Sequence, residues 1–448
     1  MSEDTVVIVA PLILLLVLFI IEIPVAFALG ISGAVGIWLL SSFDVTTSNL
    51  EAIPFHRAST YALTVVPMFM LVGVLASRSA MLEGVFEVAQ RLTRRLPGGL
   101  GIASVTAATF LGGITGSSVA DAATVGRIAI GEMSKRGYEK AYAAAIVAAA
   151  ATVAILLPTS VALAVFGVVT GVSVGKLLLG GIVPGILTSL AYIAVILVMS
   201  TKGPAFGGAS TVEIIDEKPL GLREYFSLLS GILLLTIVVG GLYTGTFTPT
   251  EAGAIAAFSS LILASVFMFF SASENKVRHV VIGLIESFKE AGSFTAMIFA
   301  IVVGATIFTH YLVMAGIPAS VTEWVLAQSI PPSMVVAMFL LLLIPLGSLV
   351  DGLSMLLIVA PITYPTVAAL GYDGVWYGIL FVKLIEIGLL HPPLGLNIYV
   401  VCSLFPDLQP GRVFYRVIPF LVAELVVIAL LFAFPGIVHL TQTQIVPR

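Results

Sequence analysis

The sequence predicts an all-α polytopic membrane protein, an inverted-topology repeat with two re-entrant helical hairpins and two broken helices. Composition, a recurrent spacing of glycine and proline, and the placement of basic residues predict it. Of 448 residues, 59% are hydrophobic and 10% are charged, where an ordinary soluble domain carries about a quarter charged residues. Mean hydropathy is +1.15, and a water-soluble fold cannot hide that much apolar surface. Stretches 5–21, 62–76, 177–199, 254–270 and 421–434 approach or reach the roughly 20 residues a helix needs to cross about 30 Å of hydrocarbon. Helices satisfy their own backbone in lipid, and the alternation of a membrane barrel is absent.

The first stretch follows an acidic Met1-Ser2-Glu3-Asp4, not a basic segment, so it is expected to be a retained span and not a cleaved signal peptide. The single cysteine, Cys402, excludes an internal disulfide. No Cys/His cluster suggests a structural metal, and a net charge of -4 without a basic stripe argues against nucleic acid.

Landmarks then recur along the chain. Gly137-Tyr138 and Gly371-Tyr372, Pro97 and Pro331, Gly113 and Gly347, and Pro158 and Pro392 are each 234 residues apart. Gly73 and Gly304 are 231 apart, and Pro184 and Pro419 are 235 apart. These landmarks divide the chain into a first repeat at 1–201, a cytoplasmic linker at 202–224 and a second repeat at 225–448. In the first repeat a hairpin is expected at about 100–131 and a broken helix at about 139–170. Their counterparts are a hairpin at about 333–369 and a broken helix at about 374–405.

Charge orients the halves, because Lys and Arg collect in cytoplasmic loops. The first hairpin lies between Arg91, Arg94 and Arg95 on one side and Lys135, Arg136 and Lys140 on the other. A hairpin that enters and leaves from the cytoplasm keeps both clusters inside. The second hairpin lies in a run, 290–382, with no Lys or Arg, and should open outside. Placing Lys202, Lys218, Arg223, Lys276, Arg278, Lys289, Arg412 and Arg416 inside then makes the spans alternate, with both termini outside. Inverted repeats of this kind are characteristic of secondary transporters, whose sites lie near the midplane between discontinuous helices.

Four interruptions mark the candidate site: hairpin turns at 112–118 and 347–352, and helix breaks at 157–160 and 391–395. Proline frees a carbonyl one turn back, and glycine lets backbone approach an ion. Freed carbonyls and hydroxyls are hard ligands suited to Na⁺, and half-helix amino termini suit a carboxylate. A single break reads as a packed kink; four in register read as a site, since irregular backbone at membrane depth is tolerated where it lines one.

Each ionisable group in an apolar stretch costs roughly 2.5–3.5 kcal/mol at a helix centre. Asp351, at the second turn, either holds a cation or caps a helix. Asp121 is expected to cap or brace the second arm of the first hairpin. Lys383 and Glu386, three residues apart on one helical face, are expected to pair with each other or brace a neighbouring helix, with a proton relay as the alternative. His310 is expected to be a hydrogen-bonded interfacial histidine, with a proton site as the alternative. Glu22 beside Pro24 and Glu251 beside Pro249 look like paired scaffold features.

Several motifs carry a family resemblance that spans nearly the whole chain. They are Leu63-Thr64-Val65-Val66-Pro67-Met68-Phe69, Gly113-Ile114-Thr115-Gly116-Ser117-Ser118-Val119-Ala120, Arg136-Gly137-Tyr138, Phe247-Thr248-Pro249-Thr250-Glu251-Ala252, Asp351-Gly352-Leu353-Ser354 and the stretch from Glu386 through His391, Pro392 and Pro393 to Asn397. At these motifs the sequence resembles the large membrane subunit of tripartite ATP-independent periplasmic (TRAP) transporters, the DctM-like family.

The resemblance implies an elevator-type transporter with scaffold and transport domains in a prokaryotic inner membrane. It implies two partners, a small four-helix membrane subunit and a periplasmic binding protein that hands over an organic acid. It also implies coupling to Na⁺, with no other cofactor and no enzymatic activity. Carried onto this sequence, the first Na⁺ site would use Thr115, Gly116, Ser117 and Ser118 with Pro158 and Thr159. The second would use Val350, Asp351 and Gly352 with Pro392, Pro393 and Gly395. Ser118, Ser160 and Asn397 would face the substrate.

The sequence departs from the family pattern where Thr159 replaces a second proline and His391 replaces a threonine, which bears on the ion ligands. Two repeats fill the 448 residues, so the small subunit is expected to be a separate chain. The rival reading is a stand-alone Na⁺-coupled anion transporter of similar fold. An intramembrane hydrolase would need a His-Glu-x-x-His motif or a base near Ser117 or Ser118, and neither is evident. A passive channel would not need paired discontinuous helices.

Overall fold

The structure, a computed structural model, describes residues 3–79, 81–207, 221–272, 274–328, 330–347, 350–393 and 395–441. Among them every regular element is helical. The first part of the chain forms α1 (Glu3–Ile20), α2 (Val25–Leu40), α3 (Phe43–Ala58), α4 (Val65–Arg78) and α5 (Met81–Thr93). Next come α6 (Gly99–Thr115), α7 (Ser118–Lys135), α8 (Lys140–Ala151), α9 (Val161–Thr170), α10 (Val174–Gly180) and α11 (Ile182–Ser200). After the linker follow α12 (Leu222–Leu235), α13 (Gly241–Tyr243), α14 (Pro249–Ser271), α15 (Lys276–Met314) and α16 (Ile317–Ala327). The chain finishes with α17 (Pro332–Gly347), α18 (Gly352–Ala369), α19 (Gly374–Gly388), α20 (Leu396–Ser403), α21 (Pro410–Ala433) and α22 (Gly436–His439).

Seven helical stretches among the described residues are long and apolar enough to cross a membrane, and α8 with α9 make an eighth if their bent pair counts as one span. The bend between them is 41°. The stretches expected as hairpins are the pairs α6/α7 and α17/α18, and those expected as broken helices are α8/α9 and α19/α20. Of the residues named or spanned by the motifs above, Met1, Ser2, Lys218, Ser348, Leu349 and Leu394 lie outside the described residues. Leu222 begins α12 within the stretch 202–224 expected as the linker.

Helix ends follow local chemistry. Ser42, Ser117, Ser160, Ser173, Asp351 and Asp373 each accept a hydrogen bond from a first-turn N–H, which satisfies one of the orphan donors there. Thr248 and Glu251 form a capping box with Pro249 at the first helical position, so Glu251 is a cap and leaves the run that follows apolar. Glu22 has no such role; it sits at φ 63° in the turn before α2.

The centre of the bundle is α8 and α19. Every residue from Ala141 to Ala151 is buried, and most are alanine, whose small side chain lets neighbouring helices approach where no hydrophobic force drives them together. Every residue of α19 from Val375 to Gly388 is buried too. Around this pair the packing is reciprocal. Helix α9 lies on α18 and α19, while α20 lies on α7 and α8. Farther out, α2 packs on α15, and α14 packs on α4. Helix α15 runs unbroken for 39 residues, and Arg78 of α4 ties its first part down through ion pairs of 2.6 Å to Glu286 and Glu290.

Candidate functional site

The first turn is built by α6 ending in left-handed backbone at Gly116, φ 62°, a conformation glycine adopts without steric cost. The same glycine is needed for a second reason. A Cβ there would stand 2.2 Å from the Thr159 carbonyl oxygen, so the turn packs directly on the first helix break. Two further bonds close this junction. Thr159 Oγ1 donates to the Gly112 carbonyl at 3.2 Å, and Thr115 Oγ1 donates to Asp121 Oδ1 at 2.7 Å. Asp121 therefore braces the second arm by reaching back across the turn to the first. Ser117 caps α7 by accepting from the Ala120 N–H at 3.4 Å.

At the first break the helix tightens to 3-10 form over Thr152–Leu156 and stops where Pro158 interrupts it. Ser160 then caps α9 by accepting from the Leu163 N–H at 3.2 Å. Thr115, Gly116, Ser118, Pro158, Thr159 and Ser160 are all buried, and Ser117 is half-buried. Thr159, standing where a second proline would be expected, thus adds a hydroxyl that spans from the break to α6.

The second turn and break meet differently. Gly347 of α17 and Gly388 of α19 touch backbone to backbone, since a Cβ on Gly388 would lie 2.5 Å from the Gly347 carbonyl. Gly352 faces the Ile385 side chain. Asp351 is exposed and caps α18 by accepting from the Ser354 N–H at 3.1 Å. Val350 and Gly352 are half-buried, Pro392 and Pro393 are exposed, and the bond between the two prolines is cis. The chain re-enters a helix through Gly395 in left-handed backbone, φ 45°. The Asn397 N–H donates to the Leu389 carbonyl at 3.2 Å, closing the loop of the break. His391 is half-buried beside Pro392.

The three residues expected to face substrate all sit at helix amino termini, of α7 (Ser118), α9 (Ser160) and α20 (Asn397). No hydrogen bond joins them to one another. Asn397 is fully buried, and neither its amide nitrogen nor its oxygen has a side-chain partner among the described residues. Buried polar atoms are ordinarily paired, so Asn397 marks a place where a polar ligand is energetically welcome.

Lys383 and Glu386 do not pair with each other by hydrogen bond. Lys383 Nζ reaches Glu424 Oε1 on α21 at 2.6 Å and donates to Thr188 Oγ1 on α11 at 2.6 Å. Tyr192 OH donates to the other Glu424 oxygen at 3.0 Å. Glu386 instead faces the first hairpin, where Ser118 Oγ donates to its Oε1 at 3.4 Å. Glu424, Thr188 and Tyr192 were missed in the sequence. The available signal was a lone carboxylate in the apolar run 421–434, and a buried lysine that required a counter-ion. His310 is half-buried on α15 and lacks the expected hydrogen bond among the described residues.

Comparison with known proteins places these features in a lineage. Residues 12–437 match the protein family described as tripartite ATP-independent periplasmic transporter, DctM component. The chain is 33% identical over 416 residues to the C4-dicarboxylate TRAP transporter large permease protein DctM of Pseudomonas aeruginosa, covering 92% of each. It is 32% identical over 378 residues to the sialic acid TRAP transporter large permease protein SiaM of Vibrio cholerae serotype O1, covering 84% of each. In three dimensions it resembles the Alcanivorax borkumensis YdaH transporter, with a TM-score of 0.65, 14% identity, and 95% and 98% of the two chains covered. At that identity the likeness concerns the fold alone.

Proposed function

The chain belongs to the DctM component family of tripartite ATP-independent periplasmic transporters, and on that premise we propose that it is the large membrane subunit of a secondary transporter importing a small carboxylate. The family match across residues 12–437 is the observation that carries this reading. Relatives named for a C4-dicarboxylate and for sialic acid share a carboxylate and differ in nearly everything else, so the substrate class is taken to be organic acids. The membrane site contributes helix amino termini, backbone and small polar groups, which suit a carboxylate of varied shape. Selectivity then resides mainly in a periplasmic binding protein, and a small four-helix membrane subunit completes the assembly in a prokaryotic inner membrane. Both termini face the periplasm in this arrangement.

Transport is coupled to Na⁺ and proceeds by an elevator motion of the two turns and breaks against the outer helices, within an inverted repeat. Support for two ion positions comes from the pairing of each turn with the break in its own half, Gly116 against Thr159 and Gly347 against Gly388. The first position uses Thr115 to Ser118 with Pro158 and Thr159. The second uses Val350, Asp351 and Gly352 with Pro392, Pro393 and Gly395. Ser118, Ser160 and Asn397 contact the substrate.

Uptake of a labelled organic acid into proteoliposomes holding this chain and its small partner tests the reading. An imposed Na⁺ gradient is applied with and without the binding protein. Uptake that requires both Na⁺ and the binding protein is the expected result. Na⁺-driven uptake without the binding protein would instead make the chain a stand-alone anion transporter.

A further inference from the structure

Asp121, Lys383, Glu386 and Glu424 are all buried among α7, α19 and α21. Lys383 and Glu424 settle each other. The lysine is bonded to one glutamate oxygen at 2.6 Å, and Tyr192 donates to the other at 3.0 Å, so neither oxygen of Glu424 is left over. Asp121 gives Oδ1 to Thr115, and its Oδ2, beside Gly112 in the same hairpin, has no hydrogen-bond partner among the described residues.

Glu386 is placed otherwise. It is 1% exposed, its Oε1 has one long contact from Ser118 at 3.4 Å, and its Oε2 has no partner among the described residues. Lys383, one turn away, exerts a Coulomb attraction on it but is bonded to Glu424. One lysine therefore serves two glutamates, and a buried carboxylate without its own counter-charge is among the costliest groups to hold. The turn that Glu386 faces has the opposite deficit. Thr115, Gly116, Ser117 and Ser118 offer hydroxyl and carbonyl oxygens but no charge of their own, and the carboxylate beside them is Asp121, bonded to Thr115.

We propose that Glu386, on the second broken helix, supplies a second negative charge, beside that of Asp121, for a monovalent cation held at the first hairpin turn, through Ser118. The first cation position is thus completed by the other half of the chain. The inference rests on the coupling-ion reading above and adds to it a residue outside either turn. Occupancy of the first turn then ties α7 to α19, so an ion in one half is felt by the broken helix of the other.

Ion binding to the native state raises stability in proportion to ligand concentration over its dissociation constant, so the test does not need transport. The full-length chain in lipid nanodiscs is unfolded thermally while NaCl replaces choline chloride at constant ionic strength. Wild type is expected to gain stability as Na⁺ rises. In Glu386→Gln the Na⁺ concentration for half the gain should rise at least about tenfold, and Glu386→Asp should recover part of the loss. If Glu386→Gln does not fold, Ser118→Ala, which keeps the charge and removes the bridging hydroxyl, should weaken the response to a smaller extent.

A Glu386→Gln curve that superimposes on wild type overturns the proposal, as does a wild-type curve flat in Na⁺. Stabilisation of wild type by acid in place of Na⁺ also overturns it and makes the occupant a proton. If Asp351→Asn shifts the Na⁺ response and Glu386→Gln does not, this inference falls while the coupling-ion reading stands. A Na⁺ response lost in Glu386→Gln, beside wild-type uptake that needs no Na⁺, removes the coupling reading and leaves the site.

Discussion

The two turn-and-break junctions have the same order along the chain and opposite packing. At the first, Thr115, Gly116, Pro158, Thr159 and Ser160 are buried, and hydroxyls from the break and the turn bond across to α6 and α7. At the second, Asp351, Pro392 and Pro393 are exposed, and Gly347 meets Gly388 backbone to backbone. One backbone device can therefore be sealed or open, and the side chains that differ are Thr159 within the first break, Asp121 just beyond the first turn, and Glu386 reaching that turn from across the bundle.

The largest expected effect bears on what holds the sealed junction in place. Lys383→Met leaves Glu424 buried without its counter-charge, and loss of one partner of such a pair costs about 3–5 kcal/mol. Thermal unfolding in nanodiscs should register it, and a simultaneous Glu424→Leu should restore most of the loss. The next contrast is between glycines. Gly116→Ala meets the Thr159 carbonyl at 2.2 Å and adds about 1–2 kcal/mol for left-handed backbone, whereas Gly352→Ala meets the Ile385 Cγ2 methyl at 2.5 Å, a side-chain atom, in ordinary helical backbone. Gly352→Ala should lose less stability than Gly116→Ala, since its obstacle is a side chain and alanine is the better helix former. Equal stability losses in the two variants would break the comparison.

Accessibility sharpens it further. In a Cys402→Ala background, Asp351→Cys should react with a polar maleimide about a hundredfold faster than Thr115→Cys, the factor for a local opening of about 3 kcal/mol. Similar rates would mean that the first junction is not sealed. The smallest effect concerns the start of α8, the end farther from the first break. Lys140 contacts Asp407 at 2.6 Å, in the loop after α20, and holds its carboxyl below the usual carboxylate range. A depressed carboxyl favours folding above its unfolded pKa of about 3.9, and the contribution is lost as pH falls through the lower folded value. Asp407→Asn should flatten the stability profile only at that acid end.

The sequence revealed interruptions better than partners. Glycine and proline mark where a helix must stop, so the limits of α6/α7, α17/α18 and both broken helices were legible from residues such as Gly116, Pro158 and Pro392. The family motifs carried the lineage. What joins Ser118 to Glu386, 268 residues away, or Lys383 to Glu424 depends on packing, which no local pattern encodes. Glu424 went unnoticed because one carboxylate barely alters the hydropathy of its stretch. Glu251 resembled Glu22 in position, but only Glu251 acts as a cap, because only there does a threonine stand three residues before the glutamate.

Helix α15 has a consequence for the lipid. Its 39 residues extend about 58 Å at 1.5 Å per residue, almost twice the hydrocarbon thickness of about 30 Å. Tilt alone, at most about 40° in most helices, leaves it reaching beyond the hydrocarbon. Its first 15 residues include Lys276, Arg278, His279, Glu286, Lys289 and Glu290, which belong at headgroup level. That end of the helix must lie along or protrude from the bilayer surface.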